Sequence, residues 1–468
     1  MTIKMLAAGL LAIILSLSQA LGVLPQDQSR QKPPAGGTPR PFTLPRTDTF
    51  ALKDGASATM APYGSIPKVT IRVVVRAGAI NQAENQVWLA NLTGNLMKLG
   101  TATRSASQVA REAAGLGGAV DISVGPDTTS ISGDVLSEFG PQMVALLADV
   151  VQHPLLPASE LPRLKSDLVR ELIISKSQSA SVATETFNKL LYPNHPYGRN
   201  FPTSSMIDTF TIEDVKKFYA DNFGASRTHI FVSGQFDASA MKRAITSGFE
   251  NWTRGSQPYL NIPRPVSTRS INLVDRPGAS QSTVEIGLPA IDPSHQDYVG
   301  FLVLNALLGG AFTSRITSNL REQKGYTYSP SSQLFTRYRD GYWAETADVT
   351  TAVTGPSIKE ILYEIDRLRN EPPGEDELQG IKNFLAGIFV FQNSSRQGVV
   401  GQLAFADLHG LPRDYLSGFV QRVMAVSPAE VQRLARQYLI PDKLTIVVVG
   451  DKAKIADQLS PFGTLNMN

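Results

Sequence analysis

Cysteine is absent from all 468 residues. That excludes disulfides, thiolate metal sites and a lipid-modified cysteine, so stability must come from burying a core, which a chain of this length can do. Charge of one sign is missing as well: 44 Lys and Arg face 41 Asp and Glu, a formal net charge of +3 with no basic cluster. Nucleic-acid and membrane-surface binders need such clusters, so neither partner is expected. The five histidines, His153, His195, His229, His295 and His409, show no pairing at metal-ligand spacing. They read as packing or solvent residues, with His195 in "NHPYGR" structural. No hydroxyl, histidine and acid set for nucleophilic catalysis is visible either.

Long apolar runs are confined to the N-terminus. "MTIK" supplies one positive charge, "MLAAGLLAIILSLS" an apolar stretch and Ser18-Gln19-Ala20 a small-x-small cleavage pattern. Residues 1–20 therefore read as a secretory signal peptide, with an uncleaved anchor as the alternative. The expected location is outside the cytoplasm, in the periplasm, with no stable membrane span after cleavage. Residues 21–46 are rich in Pro, Gly and Gln and lack an apolar period, the composition of an extended leader.

The remainder is written twice. "TIEDVKKFYADNFGASRTHIFVSGQFD" (211–237) aligns without a gap on "SPAEVQRLARQYLIPDKLTIVVVGDKA" (427–453), at an offset of 216. Both open on Ser or Thr with an acid three residues later, a capping-box signature. Each then predicts an amphipathic helix and an apolar strand ending at Gly234 or Gly450. "KVTIRVVVRAGA" (68–79) similarly matches "QSTVEIGLPA" (281–290), and "LTGNLMKLG" (92–100) matches "LVLNALLGG" (302–310). The pattern predicts two homologous α+β domains, 47–250 and 270–468, joined by a Pro- and Gly-containing linker at 251–269. Each should be a mixed, mainly antiparallel sheet with helices on one face.

"NLTGNLMKLGT" (91–101) carries the functional question. Asn91 and Asn95 lie four apart, so they leave the same helix face. A zinc peptidase of the H-x-x-E-H type puts histidines at that spacing and its general base one residue before the second. Those slots hold Asn91, Gly94 and Asn95. Asn91 and Thr93 also form an N-x-T triplet, which should be buried.

Several segments resemble the pitrilysin and insulinase-type zinc metallopeptidases, in particular their short processing-peptidase-like members. They are "FTLPRTDTFALKDGASATMAPYGSIPKVTIRVVVRAGA", "YPNHPYGRNFPTSS", "LGGAFTSRITSNLREQKGYTYSP" and "LTIVVVGD". The resemblance runs from about residue 42 to 466. It implies two duplicated α+β halves that form one shell of a clamshell. It places the first metal ligand at Asn91, the base at Gly94, the second ligand at Asn95 and a third ligand at Glu171. A supporting acid would fall on Leu164 and is absent. Asn amides are poor zinc ligands and glycine moves no proton, so no metal is expected in this chain. The resemblance also implies an Arg and a Tyr seven residues apart that contact the substrate carbonyl across the chamber, here Arg321 and Tyr328. Arg321 is expected in the last helical turn before Gly325, and Tyr328 in the strand that follows.

Two readings follow. One is a non-catalytic subunit that pairs with a homologous zinc-bearing chain, binds peptide and supplies Arg321 and Tyr328 in trans. The other is a peptide-binding or scaffold protein with the peptidase fold and no catalytic role. Gly309 and Gly310 could face a substrate backbone, whereas Gly115, Gly117 and Gly118 in "GLGG" read as a helix-to-strand turn.

Overall fold

The computed structural model describes residues 46–259 and 261–467. The expected signal peptide, and all but the last residue of the expected leader, lie outside the described residues. The first sheet has β1 (Asp48–Ala51), β2 (Ser57–Pro62), β3 (Lys68–Val75), β4 (Val120–Val124), β5 (Thr129–Leu136) and β6 (Thr228–Gly234), ordered β1-β2-β6-β3-β5-β4. The second has β7 (Ser270–Asp275), β8 (Gln281–Ala290), β9 (Ser331–Arg337), β10 (Asp340–Thr350), β11 (Thr445–Gly450) and β12 (Leu465–Met467), ordered β12-β7-β11-β8-β10-β9.

These are one topology twice. β2 with β6 and β7 with β11 are parallel, and the inner neighbours of each sheet are antiparallel. Only the outer edge differs: β1 runs antiparallel to β2, while β12 runs parallel to β7. The repeat has the helices it predicts, Ile212–Asn222 and Pro428–Tyr438. The first capping box is complete: Thr211 Oγ1 accepts from Asp214 N at 3.1 Å and Thr211 N donates to Asp214 Oδ2 at 2.8 Å. In the second, Ser427 Oγ accepts from Glu430 N at 3.2 Å, but the Glu430 carboxylate is taken by Arg433 at 2.6 Å.

Each sheet carries the helices of its own half on one face, and its other face is covered as well. β11, "TIVVVG", is buried at every residue. Alternate strand residues face opposite sides, so such a strand must be covered twice. Ile446 and Val448 face the core of their own half, whereas Val447 and Val449 pack against Ala183, Phe187 and Leu191. Those three belong to the helix Ser179–Leu191, which comes from the first half of the chain. The loan is mutual. The helix Arg396–His409 of the second half sets Val400 against Val74 and Phe231 on the outer face of the first sheet. Residues 251–259 and 261–269 carry no regular element apart from turns, as expected of a linker, yet the packing crosses that boundary in both directions.

The run Tyr298–Gln323 corrects an expectation. It is long and apolar enough to cross a membrane by length and composition, with a mean hydropathy of 1.5 over an 18-residue window, although 67% of that window is buried here. Phe301, Leu304, Leu308, Ile316 and Leu320 lie in the core of the second half. The run winds as the α-helix Tyr298–Asn305, a π-helical turn Ala306–Gly310, a short helix Arg315–Thr317 and a second π-helical turn Ser318–Gln323. Ala311 N bonds Ala306 O at 2.9 Å and Lys324 N bonds Asn319 O at 3.0 Å, the i to i+5 spacing of such turns.

Candidate functional site

Asn91, Gly94 and Asn95 share the helix Leu89–Met97, as their spacing requires. The helix starts after Trp88, whose φ of +74° is unusual for a bulky residue. Thr93 is fully buried and donates to Leu89 O at 2.8 Å, which puts the N-x-T triplet out of reach. Asn95 Oδ1 accepts from Lys98 Nζ at 3.4 Å. A Cβ on Gly94 would stand 2.5 Å from Val124 Cγ2, so β4 occupies the space a glutamate would need. Glu171 is exposed on the helix Leu161–Ser177, and Leu164 is part of the core. Two amides, a glycine filled from outside and a solvent-facing carboxylate do not fit a zinc ion. Among the described residues no cluster of three His, Cys, Asp or Glu has metal-binding geometry.

Arg321 sits in the second π-helical turn, which closes at Gly325 with φ +64°. Its guanidinium carbon lies 4.5 Å from the centre of the Phe312 ring and 4.6 Å from that of Tyr328. Nε also contacts Glu322 Oε1 at 3.2 Å. Phe312 and Tyr328 are 68% and 76% exposed, so the cation is clamped between two rings at the surface. Tyr328 is not in a strand, contrary to expectation: it lies in a bend, and β9 starts only at Ser331. Pro330 has no N–H to give to the ladder, which delays the strand.

Of the two glycines expected near substrate, Gly310 is exposed and Gly309 is buried. A Cβ on Gly309 would meet Glu345 Oε2 at 2.4 Å and Ser332 Oγ at 2.6 Å, so close packing on β9 and β10 requires the glycine. Burial pushes the Glu345 carboxyl well above the usual carboxylate range. Gly117 and Gly118 form the expected turn, Gly117 with φ +78° and Gly118 pressed on Asp134 O.

His195 is structural as read: Nδ1 accepts from Tyr197 N at 3.2 Å and Nε2 faces Asn261 O at 3.1 Å. His153 faces Asp149 at 3.3 Å and His295 accepts from Asp297 N at 3.1 Å. His409 is buried, which pushes its pKa down to about 4. His229 is different. Its Nε2 lies 2.8 Å from Thr59 Oγ1 and its Nδ1 lies 2.9 Å from Asp407 Oδ1. Asp407 also receives Arg76 at 3.2 Å. So the structure does assemble a hydroxyl, imidazole and carboxylate, with successive members 170 and 178 positions apart in the chain. No sequence spacing could reveal that. Thr59 is 6% exposed in the middle of β2 and shares its hydroxyl with Thr49 at 3.0 Å. Asp407 rides on the helix lent by the second half. We read the chain as a clamp between the halves.

A cleft of about 270 Å³ opens beside Asn91. Trp88, Tyr197 and Phe201 supply aromatic walls, and Arg199 and Arg337 supply positive charge. Sequence reasoning singled out none of these five.

The comparisons with known proteins agree with the duplicated α+β fold. Residues 62–202 match the insulinase family (peptidase family M16), and residues 209–385 match the peptidase M16 inactive domain. "Uncharacterized zinc protease YmxG" of Bacillus subtilis (strain 168) is 22% identical over 398 residues, covering 84% of this chain and 96% of the relative. "Non-peptidase homolog YmxG" of Helicobacter pylori is 21% identical over 398 residues, covering 83% and 90%. The crystal structure of a peptidase M16 inactive domain from Pseudomonas fluorescens superposes with a TM-score of 0.79 at 24% identity, covering 86% of this chain and 98% of that one. The two family matches together span about two thirds of the chain. With a duplicated α+β fold and these two successive matches, the second to the family's inactive domain, the chain belongs to the insulinase-type peptidase family M16.

Proposed function

We propose that the chain is the non-catalytic subunit of a peptidase outside the cytoplasm. It pairs with a homologous chain that holds zinc and the general base, closes the substrate chamber, and presents Arg321 and Tyr328 to the peptide carbonyl in trans. The observation that carries this reading is the stacked pair itself. Arg321 is held in one orientation by Phe312 and Tyr328, and the Tyr328 ring is 76% exposed. A pre-set guanidinium and a phenol that reach outward suit a carbonyl supplied from outside the chain. The residues at the degenerate site give the complementary half of the argument, since they offer neither metal ligands nor a base.

The test is purification of the chain from its native host under mild conditions, with zinc counted in the complex and in the isolated chain. The expected result is a co-purifying homologue with an intact H-x-x-E-H, about one zinc per pair, and neither zinc nor peptidase activity in the chain alone. Recovery without any such homologue would refute the proposal. The cleft beside Asn91 favours the second reading, a peptide-binding protein without catalytic role, and that cleft can be tested separately.

A further inference from the structure

We propose that the cleft beside Asn91 binds a peptide carboxylate, either a chain terminus or an Asp or Glu side chain, between Arg199 and Arg337. This inference goes beyond the subunit reading and needs no partner chain.

The two cations reach the cleft from different halves, Arg199 from the loop after the helix Ser179–Leu191 and Arg337 from the end of β9. Among the described residues, no carboxylate hydrogen-bonds either guanidinium. The nearest acid to Arg199 is Glu84 at 4.0 Å, and its side chain is 88% exposed, a geometry that water screens almost fully. Arg337 makes no ion pair within 4.0 Å among the described residues. The acids around it are Asp127 and Asp340, and both already have donors. Asp127 accepts from the Tyr197 hydroxyl and from Tyr338 N at 3.2 Å, and Asp340 accepts from the Tyr192 hydroxyl. Burial pushes both carboxyls up, Asp340 to about 6.

Polar groups on the walls match a peptide. Asn188 is 3% exposed and lines the cleft, and its Oδ1 has no hydrogen-bond partner. Its Nδ2 donates to Asn200 Oδ1 at 3.3 Å, which sets the amide in the cleft wall. The aromatic wall is fixed in place. Trp88 Nε1 donates to Asn200 O at 2.9 Å and the indole meets Phe201 edge to face at 6.0 Å. Together these hold Trp88 in its left-handed backbone conformation. Such strain persists where the surroundings over-determine it, most often at binding sites. At the position where the family's motif would put its first metal ligand, this chain has Asn91, and the cleft it lines also takes in Arg199 and Arg337.

The experiment uses the purified chain without partner. Calorimetric titrations would compare N-acetyl-Ala-Ala-Ala with a free C-terminus, N-acetyl-Ala-Ala-Asp-amide and N-acetyl-Ala-Ala-Ala-amide. One or both acids should bind, the neutral amide should bind at least ten-fold more weakly, and the acid that binds identifies the source of the carboxylate. Added salt should weaken binding. Arg337→Gln and Arg199→Gln should each cost about ten-fold in affinity, the loss expected for one charge-assisted contact. The two arginines come from different halves, so either variant remains informative if the other does not fold. Equal binding of acid and amide, binding unchanged in folded variants, or no binding of any of the three peptides would overturn the proposal.

Discussion

The guanidinium carbon of Arg321 lies 4.6 Å from the centre of the Tyr328 ring, with Phe312 on the other side at 4.5 Å. The stack pre-orders a long side chain that would otherwise lose rotamer entropy when it engaged a ligand. In a reconstituted pair, Tyr328→Phe should lower kcat by about 10²–10³-fold, the loss seen for one oxyanion donor. KM should change much less, because that bond strengthens mainly in the transition state. Arg321→Lys keeps the charge but loses the planar fork and the stacking, so turnover should fall there too. Tyr328 is exposed, and its variant should unfold at the wild-type urea midpoint. Normal turnover by both variants would leave all the chemistry to the partner.

Gly94 and Val124 should be energetically coupled. In an open helix, Gly→Ala gains about 1 kcal/mol. Here the new methyl would meet Val124 Cγ2 at 2.5 Å, and overpacking costs about 1–3 kcal/mol. Gly94→Ala should therefore destabilise the wild type and stabilise a Val124→Ala background. Urea denaturation of the four proteins of this double-mutant cycle measures the coupling, and additive effects would contradict the contact. For the same reason, Asn91→His, Gly94→Glu and Asn95→His combined should fail to hold stoichiometric zinc by elemental analysis.

The exchanged helices make the halves depend on each other. Phe187 belongs to the first half but is buried against β10 and β11 of the second. Phe187→Ala should cost about 3–5 kcal/mol. Amide hydrogen exchange should show the loss of protection at β8 and β11, roughly 100 and 260 residues further along the chain, as well as around the mutation. Loss confined to the first half would mean that the halves are stable separately.

Glu285 should give the protein a pH-dependent component of stability. It is 2% exposed on β8, and its carboxyl receives the Thr184 hydroxyl at 2.9 Å from the exchanged helix. Burial nevertheless pushes its pKa up from 4.5 to about 7. A raised carboxyl favours the protonated fold. Its contribution is therefore complete below the unfolded value and is lost as pH rises through the folded one. That shift corresponds to about 3 kcal/mol lost between about pH 5 and pH 8. Glu285→Gln should remove this slope and be the more stable protein at the alkaline end, as read by urea unfolding across pH.

Asp407 should behave in the opposite sense. Although desolvation acts to raise it, the His229 and Arg76 contacts outweigh that and hold its carboxyl below the ordinary value. Its stabilisation is present above the unfolded pKa and disappears as pH falls through the folded one. Asp407→Asn should cost about 1–2 kcal/mol near neutrality, discounted for its partial exposure, and nothing in strong acid. A variant as stable as the wild type at neutral pH would remove the clamp reading of Thr59, His229 and Asp407.

Local chemistry settled much of this protein in the sequence alone. The repeat at offset 216 fixed the duplicated α+β topology, because capping signatures and apolar strand runs are decided within a few residues. Spacing put Asn91 and Asn95 on one helix, and residue chemistry gave no reason to expect zinc there. Tertiary structure decided what depends on distant parts of the chain. Only packing could show that each sheet borrows its second covering helix from the other half, since a doubly buried strand reads the same whatever covers it. The same holds for the reason Gly94 is a glycine, which lies in Val124 on another strand. It also holds for the clamp from Thr59 to Asp407 and for the meeting of Arg199 with Arg337 in one cleft. The members of the clamp and the two arginines lie more than a hundred residues apart in the chain, and only the fold brings them to one place.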